Sequence, residues 1–182
     1  MPRAPEVAFL LEAGELKRVQ RRGWKRVGVR APESVADHSW RLALMAMLYA
    51  DLEGLDAGRA ARIALLHDLP EVRAGDAMPG EWTPAQKHAR EARALRAMLK
   101  PLPPLLREEY EALWNEYEEG ASPEARLVAE LDKLEMAAQA LRYEDARVSP
   151  RKLDGFWASA EAVVRAPRLR AALDAMRRQR RG

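Results

Sequence analysis

The 182-residue chain contains no cysteine. Disulfides, thiolate nucleophiles and thiolate metal sites are thereby excluded, and any metal ion must be held by nitrogen and oxygen. Histidine is scarce as well: only His38, His67 and His88 occur. No apolar run approaches the roughly 18 residues that cross a bilayer. The first residues, Met-Pro-Arg-Ala-Pro-Glu, lack the apolar core and small-residue cleavage site of a signal peptide, so a cytoplasmic location is the expectation. Alternating β-branched segments are missing too, and the apolar spacing is helical nearly throughout. A lone asparagine, Asn115, and the excess of Arg over Lys fit a heat-adapted or GC-rich source.

Hydrophobic residues make up 48% and charged residues 32% of the chain, the balance of a packed globule rather than a disordered segment. The length suits one domain spanning 1–182. The net charge of +3 is unevenly spread: residues 1–30 carry eight Lys/Arg against three acids, and 168–182 carry six Arg against one Asp. Between these basic ends, 17 basic residues face 24 acidic ones, a net −7. A protein built to grip nucleic acid shows a basic stripe through its fold, and this layout argues against that role.

The spacing predicts an all-α fold of about eight helices. A first helix covers 6–19. The stretch RRGWKRVGVRAPE, 21–33, reads as a loop, and a loop of that length within a domain is often functional. The second helix starts after Pro32, with Ser34 as N-cap and Asp37 in its first turn. Its Val35, His38, Leu42, Met45, Tyr49 and Leu52 form one face, which turns His38 toward the core. Asp56 caps a third helix, where Ala60, Ile63, Ala64 and His67 share a face and Pro70 forces an end near His67-Asp68. Further helices are expected over 83–99, over 106–119 up to Gly120, and from Ser122-Pro123 to about 144; Pro150 and Pro167 open the last two.

Adjacent residues in mid-helix point about 100° apart, but at a helix end His67 and Asp68 can both turn toward one ion. Imidazole with carboxylate suits Mn²⁺, Fe²⁺, Co²⁺, Ni²⁺ or Zn²⁺. The alternative is that His38 and His67 are hydrogen-bonded core histidines. Asp132 shares a face with Val128, Met136 and Gln139, and an acid among such neighbours needs a metal, a buried Arg or an opening to solvent. Glu71 and Asp76 follow in PEVRAGD, where Gly75 permits a turn that aims Asp76 back toward the His-Asp pair.

Taken in order, His38, His67-Asp68 and Asp132 resemble the H…HD…D signature of the HD-domain metal-dependent phosphohydrolases. RRGWKRVGVRAPESVADHSWRLALMAM, ALLHDLPEVRAGD and EARLVAELDKLEMAAQAL are similar to the branch of YfbR-like 5′-deoxynucleotidases and the HD domain-containing protein 2 family. The likeness covers about residues 5–165, and the C-terminal helix and Arg-rich tail, 167–182, lie beyond it. The resemblance implies a helical fold around one divalent cation (Co, Mn, Ni, Zn or Fe, with Mg a further candidate) held by His38, His67, Asp68 and Asp132. It implies hydrolysis of deoxyribonucleoside 5′-monophosphates to deoxynucleoside and phosphate, with Glu71 as the catalytic carboxylate and Asp76 as its neighbouring acid. It also implies a homodimer. Such chemistry requires no covalent nucleophile. Two other readings stand beside it: an HD phosphohydrolase for cyclic, triphosphate or signalling nucleotides, and a non-enzymatic helical module binding nucleic acid or protein.

YfbR-type sequences carry an Arg immediately before the loop Trp, whereas here Gly23 precedes Trp24. Arg21 and Arg22, just upstream, become the candidates for substrate phosphate. Trp24 either stacks on sugar or base or plugs the core. His88, in KHAREAR, reads as a surface histidine and Lys133 as a partner of Asp132. Trp40, Trp82, Trp114 and Trp157 read as core or interface anchors, and the basic run 177–181 as a solvated helix end.

Overall fold

Proline marks where most helices begin. Pro5, Pro84, Pro104, Pro123, Pro150 and Pro167 each sit in the first turn of an α-helix, where the absent N–H has no partner to lose and the fixed φ suits the helix. The structure, a computed structural model, describes residues 4–146 and 148–180, so Arg181 of the basic run and the terminal positions 1–3 and 182 lie outside the described residues.

The helices are α1 (Pro5–Gly14), α2 (Arg22–Arg26), α3 (Val35–Glu53), α4 (Ala57–Leu66), α5 (Glu71–Ala74), α6 (Pro84–Leu99), α7 (Pro104–Glu119), α8 (Pro123–Asp145), α9 (Pro150–Val163) and α10 (Pro167–Arg177). The fold is all-α; among the described residues the β-type pairing is an isolated bridge between Gln20 and Ser34. No helix among them is long and apolar enough to cross a membrane. The short α2 and α5 have no counterpart in the sequence periodicity. The first helix ends at Gly14 and continues as a 3-10 turn over Glu15–Arg18.

The Gln20–Ser34 bridge closes the base of the 21–33 segment, with the Arg21 N–H donating to the Glu33 carbonyl and the Val35 N–H to the Val19 carbonyl. Ser34 then starts α3 through a reciprocal cap: its hydroxyl accepts from the Asp37 N–H, and the Asp37 carboxylate accepts from the Ser34 N–H. Helices α3 and α4 pack side by side and α8 lies against both. Fully buried Ala46 and Ala50 on α3 and Ala60 and Ala64 on α4 supply small residues for close approach.

The buried face of α3 departs from the expected one in its second half. Val35, His38 and Leu42 are buried as expected and Met45 and Tyr49 are half-buried against the core, but full burial passes to Ala46 and Ala50. Leu52 is exposed and joins Trp40, Leu44, Met47 and Leu48 in an apolar stripe open to solvent. Trp114 and Trp157 are core residues, whereas Trp40 is 67% exposed and Trp82 is a surface ring beneath the Arg90 guanidinium, 4.3 Å away. The basic C-terminal run is not simply solvated. Arg177 pairs with Glu161, and Arg180 bridges Glu144 (2.8 Å) and Asp154 (2.7 Å) while covering the Trp157 ring, which ties the chain end to α8 and α9.

Candidate metal centre and substrate cavity

Three helices deliver the centre. His38 lies one turn into α3, His67 is the C-cap of α4, and Asp132 lies in α8. At His67 the backbone is still helical (φ −56°, ψ −45°), and the chain then passes through a turn into α5, so His67 and Asp68 sit at the seam. Ligand atoms of His38, His67 and Asp132 lie within 4.8 Å of one another. The Asp68 Oδ2 is 3.0 Å from His67 Nε2 and 3.8 Å from His38 Nε2, and Asp132 Oδ1 is 3.2 Å from His38 Nε2. The structure thus brings together all four residues that the resemblance singles out.

Each imidazole has one nitrogen committed and one free. His67 Nδ1 is 2.7 Å from the Ala64 carbonyl, and His38 Nδ1 is 2.6 Å from Glu135 Oε2. Both partners are acceptors, which assigns the Nδ1 proton on each ring. The two Nε2 atoms are buried and have no hydrogen-bond partner. A buried polar atom is rarely left so, and two of them facing two carboxylates fit a divalent cation.

The electrostatics keep the carboxylates ionised. Burial opposes ionisation of Asp68, yet His67, His38 and Arg21 hold it below the usual carboxylate range. Asp132 is depressed likewise, against burial, by Lys133, His38 and Arg21. Burial and Arg21 lower the His38 pKa, but the Glu135 and Asp132 carboxylates outweigh them and raise it to about 9 when no cation is bound; a cation held at Nε2 would take the place of that proton.

Glu71 opens α5 and is buried, with Oε2 lacking a partner. Burial, reinforced by Asp68 and Asp76, pushes its carboxyl up to about 10. The expected turn is present: Gly75 adopts φ +77°, a left-handed conformation that suits glycine, and Asp76 comes back to accept the Arg22 backbone N–H at 2.5 Å.

The two candidate arginines differ. Arg21 reaches the centre, with Nη1 3.7 Å from Asp68 Oδ2 and Nε 3.8 Å from Glu33 Oε1. Arg22 is engaged elsewhere, donating to Glu81 at 2.8 Å and to the Asp76 carbonyl at 3.0 Å. Trp24 is 1% exposed, stacks on Phe156 at 3.9 Å and donates from Nε1 to Glu33 at 3.0 Å. It plugs the core, and it also forms part of a cavity wall. That cavity, about 460 Å³, is lined by Arg21, Trp24, Asp76, Lys133, Met136 and Phe156, among others. A Cβ at Gly23 would touch the Phe156 ring at 3.4 Å, so Phe156 stands where a longer side chain at 23 would begin. His88 is a surface residue as expected, stacked on Trp114 and 3.2 Å from Glu118.

Sequence reasoning missed Glu135, Arg41 and Phe156. Glu135 is three residues after Asp132 in LVAELDKLEMAAQAL and so shares its helix face, a visible signal. Phe156 is brought to Trp24 by tertiary packing alone and leaves no local trace.

Comparison with known proteins shows the family. A family model described as HD domain matches residues 13–170. The human protein named 5'-deoxynucleotidase HDDC2 is 42% identical over 162 residues, covering 88% of this chain and 79% of its own. Its zebrafish counterpart is 39% identical over 173 residues, 94% of this chain and 86% of its own. The crystal structure of the PH0347 protein from Pyrococcus horikoshii OT3 matches with a TM-score of 0.78 and 35% identity, covering 96% of this chain and 99% of that one. The chain belongs to the HD domain family.

Proposed function

We propose that the protein is a metal-dependent phosphohydrolase that converts deoxyribonucleoside 5′-monophosphates to deoxynucleoside and phosphate. The observation that carries this is the pair of buried, unpartnered Nε2 atoms facing Asp68 and Asp132, beside a cavity within the usual size range of small-molecule sites. The human and zebrafish relatives, named 5'-deoxynucleotidases, support the choice of substrate.

His38, His67, Asp68 and Asp132 hold one divalent cation, of the Co, Mn, Ni, Zn, Fe or Mg series. Bound there, such an ion supplies Lewis acidity that neutralises phosphate charge and acidifies water. Arg21, kept cationic against burial by Asp132, Asp68, Glu135 and Glu33, reaches the phosphate from the cavity side. Lys133, 2.7 Å from Asp132 Oδ2 and also lining the cavity, meets the phosphate from the opposite helix. Arg22, held by Glu81 and Asp76, positions Asp76 rather than binding substrate. Glu71 handles a proton at its free Oε2, taking it from the attacking water or giving it to the 5′-oxygen that leaves. Asp76 orients the groups around Glu71. Trp24 shapes the wall on which sugar or base rests.

Residues 1–182 form one HD domain on this reading. The family resemblance further supports a homodimer, and the exposed stripe of α3 offers a second copy apolar surface to cover; a cytoplasmic location is proposed with it. The decisive experiment is a panel of nucleoside mono-, cyclic and triphosphates assayed with each metal, with Asp68→Ala as control. Phosphate release from deoxynucleoside monophosphates, lost in the control, is the expected result. No release from any monophosphate under any metal would overturn the proposal.

A further inference from the structure

The second acid of the α8 face has a job that the metal ligands leave open. Asp132 and Glu135 are one turn apart on α8, opposite His38 and Arg41, which are one turn apart on α3. The Glu135 side chain has no solvent exposure, and both oxygens are taken. Oε2 is 2.6 Å from His38 Nδ1, and Oε1 accepts from Arg41 Nε at 2.8 Å and from Arg41 Nη2. Arg41 Nη2 also donates to Gln139 Oε1 at 2.7 Å, one further turn along α8. The result is a ladder across two helices: His38, Glu135, Arg41, Gln139.

Glu33, His38 and Glu135 also cluster closely enough to suggest a second cation site. The Arg41 guanidinium already fills the space between the two glutamates, bonded to Glu135 and 3.6 Å from Glu33 Oε2, and would repel a metal there. Glu135 therefore acts through His38 rather than as a ligand.

We infer that Glu135, held by Arg41 and Gln139, is a positioning residue that fixes the ring orientation and tautomer of His38, so that the Nε2 lone pair faces Asp132 and Asp68. A neutral imidazole has one lone pair, and a rotating ring would present it to the metal only part of the time. His67 achieves the same state through the Ala64 backbone carbonyl, which no side-chain substitution removes. The two histidines thus use different locks, and only the one on His38 can be opened by mutation. The inference rests on the proposed role of His38 as a ligand.

The test measures cobalt(II) and manganese(II) binding to chelator-treated protein by titration calorimetry, without substrate, for wild type, Glu135→Gln, Arg41→Lys and His38→Asn. Ring-nitrogen NMR of ¹⁵N-histidine-labelled protein reports the tautomer in parallel. Glu135→Gln is expected to weaken metal binding by about 10–100-fold, as loss of such outer partners typically does, and to alter the His38 ring signals while His67 keeps its own. Arg41→Lys, which retains charge but loses the fork, is expected to weaken binding by a smaller factor. It keeps the question answerable should Glu135→Gln fold poorly. Wild-type affinity in both folded variants would overturn the inference. Loss of binding in His38→Asn alone would mean that the ligand role stands and the positioning role falls. Undiminished binding in His38→Asn would remove the ligand role itself.

Discussion

Replacing Trp24 separates a core residue from a pure substrate contact. The indole is 1% exposed, stacked on Phe156 at 3.9 Å with planes 24° apart, and meets Tyr143 edge-on at 5.1 Å. Its Nε1 donates to Glu33, whose own backbone N–H is capped by the Tyr143 hydroxyl at 2.8 Å. Trp24→Ala empties that space and should cost about 3–5 kcal/mol. Trp24→Phe keeps an aromatic but removes the donor, and a hydrogen bond to a charged group is worth roughly 1.5–3 kcal/mol. Glu33 would retain only the looser approach of Arg21 at 3.8 Å and Arg41 at 3.6 Å. Each kcal/mol shifts Tm by about 2–4 °C in a chain of this size, so the falls are roughly 6–20 °C for Ala and 3–12 °C for Phe. Calorimetric melting at fixed metal concentration, with KM measured well below the transition, checks this. A Trp24→Phe protein that melts with wild type, yet shows a KM raised by an order of magnitude, would refute the packing argument and leave Trp24 as a substrate contact.

Four further outcomes follow from the geometry. Glu71→Gln should lower kcat by about 10²–10⁴-fold, the usual span for a lost proton-transfer group, while calorimetric metal affinity stays unchanged. Lys133→Met should raise KM for the monophosphate by about tenfold or more, as a charge-assisted contact is lost, and should not weaken metal binding, since Asp132 is then freer to bind a cation; a fall in metal affinity would contradict this. Metal at about 100 times its Kd should stabilise the chelated protein by about 2.7 kcal/mol, a Tm rise of roughly 5–11 °C in a melting scan. The Arg59 and Ser122 hydrogen bonds hold the Glu116 carboxyl below its unfolded value, so its contribution is complete above about pH 4.5 and is lost as pH falls through the lower folded value. Glu116→Gln should therefore cost about 1 kcal/mol near neutrality, Arg59 being half in solvent, and should flatten the acid limb of a stability-versus-pH curve.

Local rules reached far into this fold because the helix ends are chemically explicit. Ser34, Asp56, Thr83 and Ser122 each accept the first-turn N–H that a cap should accept. Where local rules failed, the deciding force was tertiary. The five residues of α2 are too few to be helical alone, and they hold because Trp24 is clamped between Phe156 and Tyr143. The end of α3 departs from its sequence pattern: Met45 and Tyr49 pack against the edge of the core, Leu52 is exposed, and close packing against α4 fully buries the small Ala46 and Ala50 instead. The scarce His38 and His67 stood out in the sequence, and the family-like order of the motifs joined them to Asp68 and Asp132. Arg41 and Glu135 did not stand out, because they are common residues whose meaning depends on two helices meeting.

The charge pattern along the chain and the chemistry of the centre have one cause. The middle of the sequence carries a net −7, and the fold gathers Asp68, Asp76, Asp132, Glu33, Glu71 and Glu135 around the two histidines. Arg21, Arg41 and Lys133 are the side-chain cations that answer them. Burial alone would protonate most of these acids. The result is a division: burial and neighbouring carboxylates raise Glu33, Asp76 and above all Glu71, which is pushed up to about 10, while the histidines and nearby cations hold Asp68, Asp132 and Glu135 low. Ligand atoms of His38, His67 and Asp132 lie within 4.8 Å of one another, with Asp68 beside them, a cluster close enough to hold one cation. Of the basic residues of 1–30, Arg21 lies 3.7 Å from Asp68, and Arg21 and Arg26 line the cavity, which puts positive charge at the approach to the acidic interior.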